Sequence, residues 1–342
     1  MSVHPKDGRV TVRNDDTRRL LWFGAIGFSI ISAVTALLTP ALVSRFYPLL
    51  PDRGAAWYYW QLPSVTTLTR ITYWVGYVIH QIVVWGLLIE ARRRANRGQS
   101  VGSFNWLMMG ANIAFVALHL VQTWLWYDGL AQDVPIWVSQ GSVIVMLILI
   151  LFLEIPRRGL FWGRAFPAPA QTYQFVRRWH GMFISWAIVF TFWFHPMDGN
   201  WGLMSGFIYM FLLFAQIALF NRPFHMNKAW IVLLESFVVV HATLITVYKA
   251  NPIWPMFMVG FLVMFVLTQM HALPGARRWR WSVLAAFVVG VGALYWFVRG
   301  FEHIYEITFI PVALYGGAIG LLLVGWLIER LAPAGSSAAQ RA

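Results

Sequence analysis

Residues 18–42 read RRLLWFGAIGFSIISAVTALLTPAL: two arginines, then an apolar run without a single charge. A bilayer's hydrocarbon core takes about 20 apolar residues in helical form, and Leu20–Leu42 supplies them. The run is long for a signal peptide, and Thr39-Pro40 is a weak cleavage context. The charged lead Arg18-Arg19 suits a first anchor. Nine further runs of the same kind follow, at Ile71–Glu90, Phe104–Trp126, Ile136–Glu154, Arg178–His195, Leu203–Phe220, Ala229–Tyr248, Met256–His271, Trp281–Val298 and Ile307–Ile328. The expected fold class is therefore an all-α, polytopic integral membrane protein of about ten helices.

Composition agrees. Of 342 residues, 59% are hydrophobic and 11% charged, against about 25% charged in soluble proteins. So few charges cannot cover a soluble globule, which excludes a cytosolic enzyme and a nucleic-acid module. The net charge of +13 finds its explanation in topology. With the N-terminus inside, twenty-one of the 26 basic residues fall in cytoplasmic segments, Arg92–Arg94, Arg157, Arg158, Arg177, Arg178, Arg277, Arg278 and Arg280 among them. Only Arg45, Arg53, Arg70, Lys249 and Arg299 fall outside. Basic residues concentrate on the cytoplasmic side, and a missed or extra helix would destroy the asymmetry. Both termini are expected to be cytoplasmic, in a bacterial inner (plasma) membrane. The outer loops carry aromatic signals instead, at Trp57-Tyr58-Tyr59-Trp60, Trp124-Leu125-Trp126-Tyr127 and Asn251-Pro252-Ile253-Trp254-Pro255, as interfacial belts do.

The expected organisation is a cytoplasmic segment 1–19, a four-helix part 20–155, a linker loop 156–175, a six-helix part 176–332 and a small tail 333–342. Gly316 and Gly320 form a GxxxG, which suits close helix packing within the chain or in a helix-mediated homodimer. No cysteine is present, so thiolate chemistry is out. Walker A, dinucleotide glycine and HExxH sequences are also missing.

Chemistry must come from polar residues inside the spans, each a functional hypothesis by default. They are His80, His119, His180, His195, Glu235 and His241. Rise per residue places His119, His195 and His241 at one depth towards the outer surface, and His180, with His225 and His271, towards the inner. His180 and His195 lie roughly 22 Å apart along one helix. Asn112 and His119 share a stripe with Gln122 close by, and Thr191 pairs with His195 one turn on. Glu235, six residues from His241, faces elsewhere and is expected to be buried as a neutral, proton-carrying acid with a partner of its own. The bland reading of a lone intramembrane histidine is hydrogen-bonding glue, and His80 and His271 are assigned to it. His225 and His303 are read as interfacial.

Two tiers of histidine suit two b-type haems. Arg178-Trp179-His180-Gly181 through Phe194-His195-Pro196, with His225-Met226-Asn227 through Val240-His241, resembles the pattern of di-haem transmembrane cytochromes b and ferric-reductase-like domains. The resemblance covers Arg177–Tyr248. With His119 added from its depth in the outer tier, haem b is expected on His119, His180, His195 and His241, with His195 and His241 on iron. The chain departs from the pattern at His225. Sixteen residues before His241, it stands about 160° away on a continuous helix, so it belongs in the loop before that helix. The expected function is a membrane redox protein passing electrons between quinol and a partner chain, soluble or membrane-bound, with His195 and Glu235 as catalytic groups. Two alternatives stand beside it. One is a transferase acting on a lipid-linked substrate, with His195, Asp198 and Asn200 at the outer surface and Arg177-Arg178 holding a phosphate. The other is a proton-coupled transporter relaying through Glu235 and His241.

Overall fold

The structure, a computed structural model, describes residues 14–51 and 60–331. The tail 333–342, Trp57-Tyr58-Tyr59 and most of the N-terminal segment lie outside the described residues. Among the described residues ten α-helices carry the fold: α1 Asn14–Phe46, α2 Thr67–Asn96, α3 Gly102–Trp126, α4 Ile136–Arg158, α5 Ala170–Phe194, α6 Trp201–Ala218, α7 Lys228–Tyr248, α8 Trp254–Leu267, α9 Ala276–Leu294 and α10 Phe309–Leu331. Nine helical segments among the described residues have the length and apolarity of a membrane span. The tenth, α5, carries Arg177, Arg178 and His180 in its first half. The protein is an all-α, polytopic integral membrane protein.

The helices outrun their apolar cores. α1 begins before Arg18 and passes through Pro40, and α4 continues through Pro156 to Arg158. α5 ends at Phe194, two residues before Pro196, as the restriction a proline places on its predecessor requires. His225 lies in the short 3-10 turn Pro223–Met226 before α7, where its spacing from His241 put it.

Two compact units form, interleaved along the chain. Unit 1 comprises residues 1–141 and 181–234, and unit 2 comprises 142–180 and 235–342. Residues 156–175 lie inside unit 2. In unit 1, Gly24 and Gly27 of α1 meet Met109 and Ile113 of α3 so closely that a Cβ on either would collide. Small residues permit this approach where no hydrophobic effect drives helices together. Phe28 of α1 stacks on Phe211 of α6 at 4.6 Å. The helix ends are tied down by side chains. Arg45 donates to the Trp124 and Leu125 carbonyls closing α3, Asn105 donates to the Ala218 and Phe220 carbonyls closing α6, and the buried Arg222 pairs with Asp16 at 2.6 Å.

In unit 2, Leu151, Phe152, Ile155 and Val176 pack with Met264, Leu314, Ala318 and Leu322. The close approach on α10 is made by Gly317, against Ile148 of α4. Gly316 and Gly320 have open space beside them. Val288, Val289, Leu327 and Ile328 are exposed, as residues facing lipid chains are.

Candidate functional site

Unit 1 gathers His80, His119 and His195 around the end of α5. His80 of α2 is fully buried. The indole N–H of Trp193 donates to its Nδ1 at 3.1 Å, so its Nε2 carries the proton and donates to Asn112 Oδ1 at 3.0 Å. Its ring stacks on Phe115 at 4.3 Å. Gly76, one turn earlier on α2, leaves room for the Trp193 indole where any Cβ would collide. Both nitrogens of His80 are spent on helix-to-helix bonds, the glue expected of it.

His119 of α3 is also fully buried. Its Nδ1 faces Gln122 Oε1 at 3.0 Å, and its Nε2 faces the His195 carbonyl at 2.7 Å. Gln122 is oriented by its own amide N–H, which donates to the Tyr127 carbonyl at 2.8 Å. The His119 ring lies 4.3 Å from that of Trp193. His119 and His195 thus meet through an imidazole and a backbone carbonyl. Both oxygens facing the ring are acceptors, so a neutral His119 donates through one nitrogen and keeps the lone pair of the other.

His195 follows α5. Its Nδ1–H donates to the Thr191 carbonyl at 3.0 Å, and His180 donates likewise to the Arg177 carbonyl at 2.7 Å. Anchoring Nδ1 to backbone leaves Nε2 as the basic nitrogen, the orientation that metal-ligating and general-base histidines share. His241, on α7, is half-buried.

The residues after His195 form a clamped loop. Asp198, fully buried, accepts from the Tyr47 hydroxyl at 2.9 Å and the Tyr127 hydroxyl at 3.1 Å on Oδ2. The Asn200 N–H, at 3.0 Å, donates to Oδ1. Met197 N–H donates to Thr123 Oγ1 and Gly199 N–H to Thr39 Oγ1, each at 2.8 Å. Asn200 caps α6 by accepting from Leu203 N–H. Asp198 and Asn200, the residues of the transferase alternative, thus both make hydrogen bonds that shape this loop.

A second acid in the outer loops is less settled. Asp128 is fully buried with its backbone in the left-handed region, φ 61°. Gly129 N–H donates to Oδ1, and Oδ2 has no partner. Burial pushes this carboxyl up to about 7. The native state therefore holds a proton that the unfolded chain releases near pH 4. Stability is expected to fall as pH rises from about 4 to about 7 and then to level off. Asp128→Asn should flatten that slope in a pH series of thermal unfolding; an unchanged slope would place its origin elsewhere.

In unit 2 Glu235 is buried and has met a partner, Arg158 at the end of α4. The guanidinium grips both carboxylate oxygens, Nη1 on Oε2 and Nη2 on Oε1, the latter at 2.7 Å. The two side chains are 1% and 6% exposed. Burial and a partner of its own are as expected, and that partner is a cation, which makes a buried ion pair. Arg157 beside it pairs with Glu154 at 2.6 Å.

One residue that the sequence reading passed over stands out. Gln81 of α2 is 6% exposed, and neither its amide nitrogen nor its oxygen has a partner. It lies one turn from both Tyr77 and Trp85. Those two neighbours are tied to α5: Trp186 donates to the Tyr77 hydroxyl and Trp85 to the Met182 carbonyl, both at 3.0 Å. Gln81 thus sits on the stripe of α2 that faces α5, one turn from Tyr77 and one from Trp85. The amide nitrogen of Asn112, whose oxygen accepts from His80, is also unpartnered. Among the described residues no cluster of three or more His, Asp or Glu could hold a metal ion. No family model, curated protein or solved structure matches the chain.

Proposed function

We propose that the protein binds the headgroup of a lipid-soluble quinone or quinol in unit 1, as a component of a membrane redox system in a bacterial inner membrane. The observation that carries this reading is the Gln81 amide. An amide buried without a hydrogen bond costs about 1–3 kcal/mol, and inside a bilayer no water relieves it. Unsatisfied buried groups in native structures call for a ligand, a water or a function. A primary amide can donate to a quinone carbonyl and accept from a quinol hydroxyl, so it holds both redox forms. The surrounding tryptophan and tyrosine rings suit a flat ring, and the apolar helix faces suit its isoprenoid tail.

Gln81→Leu tests the reading cleanly. It preserves volume and removes a polar group that makes no bond in the protein, so folding should be unaffected or slightly favoured. Binding of a short-chain benzoquinone to the protein in nanodiscs should weaken about tenfold, the equivalent of one lost hydrogen bond of about 1.4 kcal/mol. Equal affinity in both proteins would refute the reading.

A second reading, haem b on His180, His195 or His241, is favoured by the anchored Nδ1–H of His180 and His195. The reduced spectrum of the same preparation tests it. A Soret band lost in His195→Ala or His241→Ala and kept in His80→Ala would support it, and a protein without the band would end it.

A further inference from the structure

Tyr77 stands one turn before Gln81 on α2. Residues at this spacing share one face of a helix, with about 5–6 Å between their Cβ atoms. Long helical side chains lean back towards the helix N-terminus, which carries the Gln81 amide over the turn that holds Tyr77. The Tyr77 ring is fixed by its neighbours. It meets the Phe190 ring of α5 edge-on at 5.8 Å and the Trp74 ring of its own helix at 6.1 Å. Trp186, stacked on Phe190 at 5.5 Å, donates its indole N–H to the Tyr77 oxygen at 3.0 Å.

That bond leaves the Tyr77 hydroxyl half used. A phenol both accepts and donates, whereas an indole N–H can only donate. Trp186 therefore takes the accepting side of Tyr77 and turns the hydroxyl hydrogen away from itself. No acceptor for that hydrogen stands among the described residues. The nearest turn of α2 holds the Gln81 amide, 6% exposed and unpartnered at both its nitrogen and its oxygen. Val78 and Ile82, each one residue on from this pair, are 44% and 62% exposed. The stripe thus borders a face turned to lipid, the route by which a quinone arrives.

We infer, resting on the quinone reading of Gln81, that Tyr77 makes the site select the oxidised ring over its quinol. A quinone carbonyl oxygen is a pure acceptor with two lone pairs, so it takes the Gln81 N–H and the Tyr77 O–H together. A quinol oxygen carries a hydrogen of its own. The Gln81 carbonyl can accept that hydrogen, but Tyr77 cannot, because Trp186 occupies its accepting side. The quinol therefore forgoes a bond that the quinone makes, and specificity is this difference between two affinities. Tyr77 contacts the ligand in this arrangement. Trp186 is a positioning residue that acts through Tyr77.

The test measures dissociation constants of a short-chain benzoquinone and of its hydroquinone for the full-length protein in nanodiscs, under argon, with empty nanodiscs correcting for ligand dissolved in lipid. The wild type should bind the quinone about fivefold more tightly than the quinol, the worth of one hydrogen bond. Tyr77→Phe keeps the ring. It should weaken the quinone about fivefold and leave the quinol as it was, so that the two forms bind alike. Trp186→Phe should reach parity by the opposite route: the freed Tyr77 oxygen accepts the quinol hydroxyl, and the quinol tightens while the quinone holds. A ratio unchanged in either variant, including equal weakening of both forms through lost packing, would overturn selection by Tyr77, as would a wild type with no preference. Gln81→Leu distinguishes this failure from failure of the site itself. It should weaken both forms alike. If it does so while Tyr77→Phe keeps the preference, the quinone site stands and selection by Tyr77 is wrong. If Gln81→Leu changes neither affinity, the site is wrong and selection by Tyr77 falls with it.

Discussion

Replacing Glu235 with leucine is expected to destabilise the protein by about 3–5 kcal/mol, because it strands the Arg158 charge in the interior of unit 2. Arg158→Met should cost about as much for the reciprocal reason. The double variant Arg158→Met with Glu235→Leu should recover most of the loss, since a buried pair replaced by apolar groups of similar volume is often neutral. The four proteins form a cycle, measured by denaturant titration in mixed micelles. Additive single effects would mean that the pair is solvated and contributes nothing specific. The geometry argues for strong coupling, because both side chains are almost fully enclosed and the guanidinium occupies both carboxylate oxygens. The double variant also asks whether Glu235 carries protons at all. If it folds and functions, the residue is a structural anchor.

The spans were legible because the bilayer imposes a one-dimensional rule: length and apolarity suffice. Helix ends were less so. The apolar run stops at Glu154, whereas the backbone continues to Arg158, since a helix end needs only hydrogen-bond partners and not apolar side chains. That extension is what makes Arg158 available to Glu235, so a loop cation on paper becomes the buried partner. Depth along a helix was readable from rise per residue, and Gln122 and Thr191 were read correctly as neighbours of His119 and His195. Direction was harder. His119 and His195 share a depth, yet one offers its ring and the other its backbone carbonyl, and a count of residues cannot tell these apart. Trp193 as the donor to His80 had no signal in a run of aromatic residues. Gln81 was visible as a polar residue in a span. Its meaning lies in the lack of a partner, which only three dimensions can show.

Asp198→Ala is expected to cost about 3–5 kcal/mol, from the loss of two or more hydrogen bonds to a buried carboxylate at about 1.5–3 kcal/mol each. Tyr127, fully buried, and Tyr47 both aim their hydroxyls at Oδ2. Truncation leaves those donors facing a cavity and frees the Asn200 N–H that closes the turn into α6. Asp198→Asn separates charge from shape. With its oxygen in the Oδ2 position the amide can still accept from both tyrosines, while its NH2 must face the Asn200 N–H, so a smaller loss is expected. The double replacement of Tyr47 and Tyr127 with phenylalanine removes the donors instead. Adding Asp198→Ala to that background should cost less than it does alone, because the shared bonds are already gone. The clamp also fixes where His195 stands, three residues earlier and held at its own carbonyl by His119. If His195 is functional, Asp198→Ala should impair it through displacement, and Asp198→Asn should restore much of the activity. A general base at Asp198 predicts the opposite. The amide cannot take a proton, so Asp198→Asn would then be as inactive as Asp198→Ala while remaining well folded.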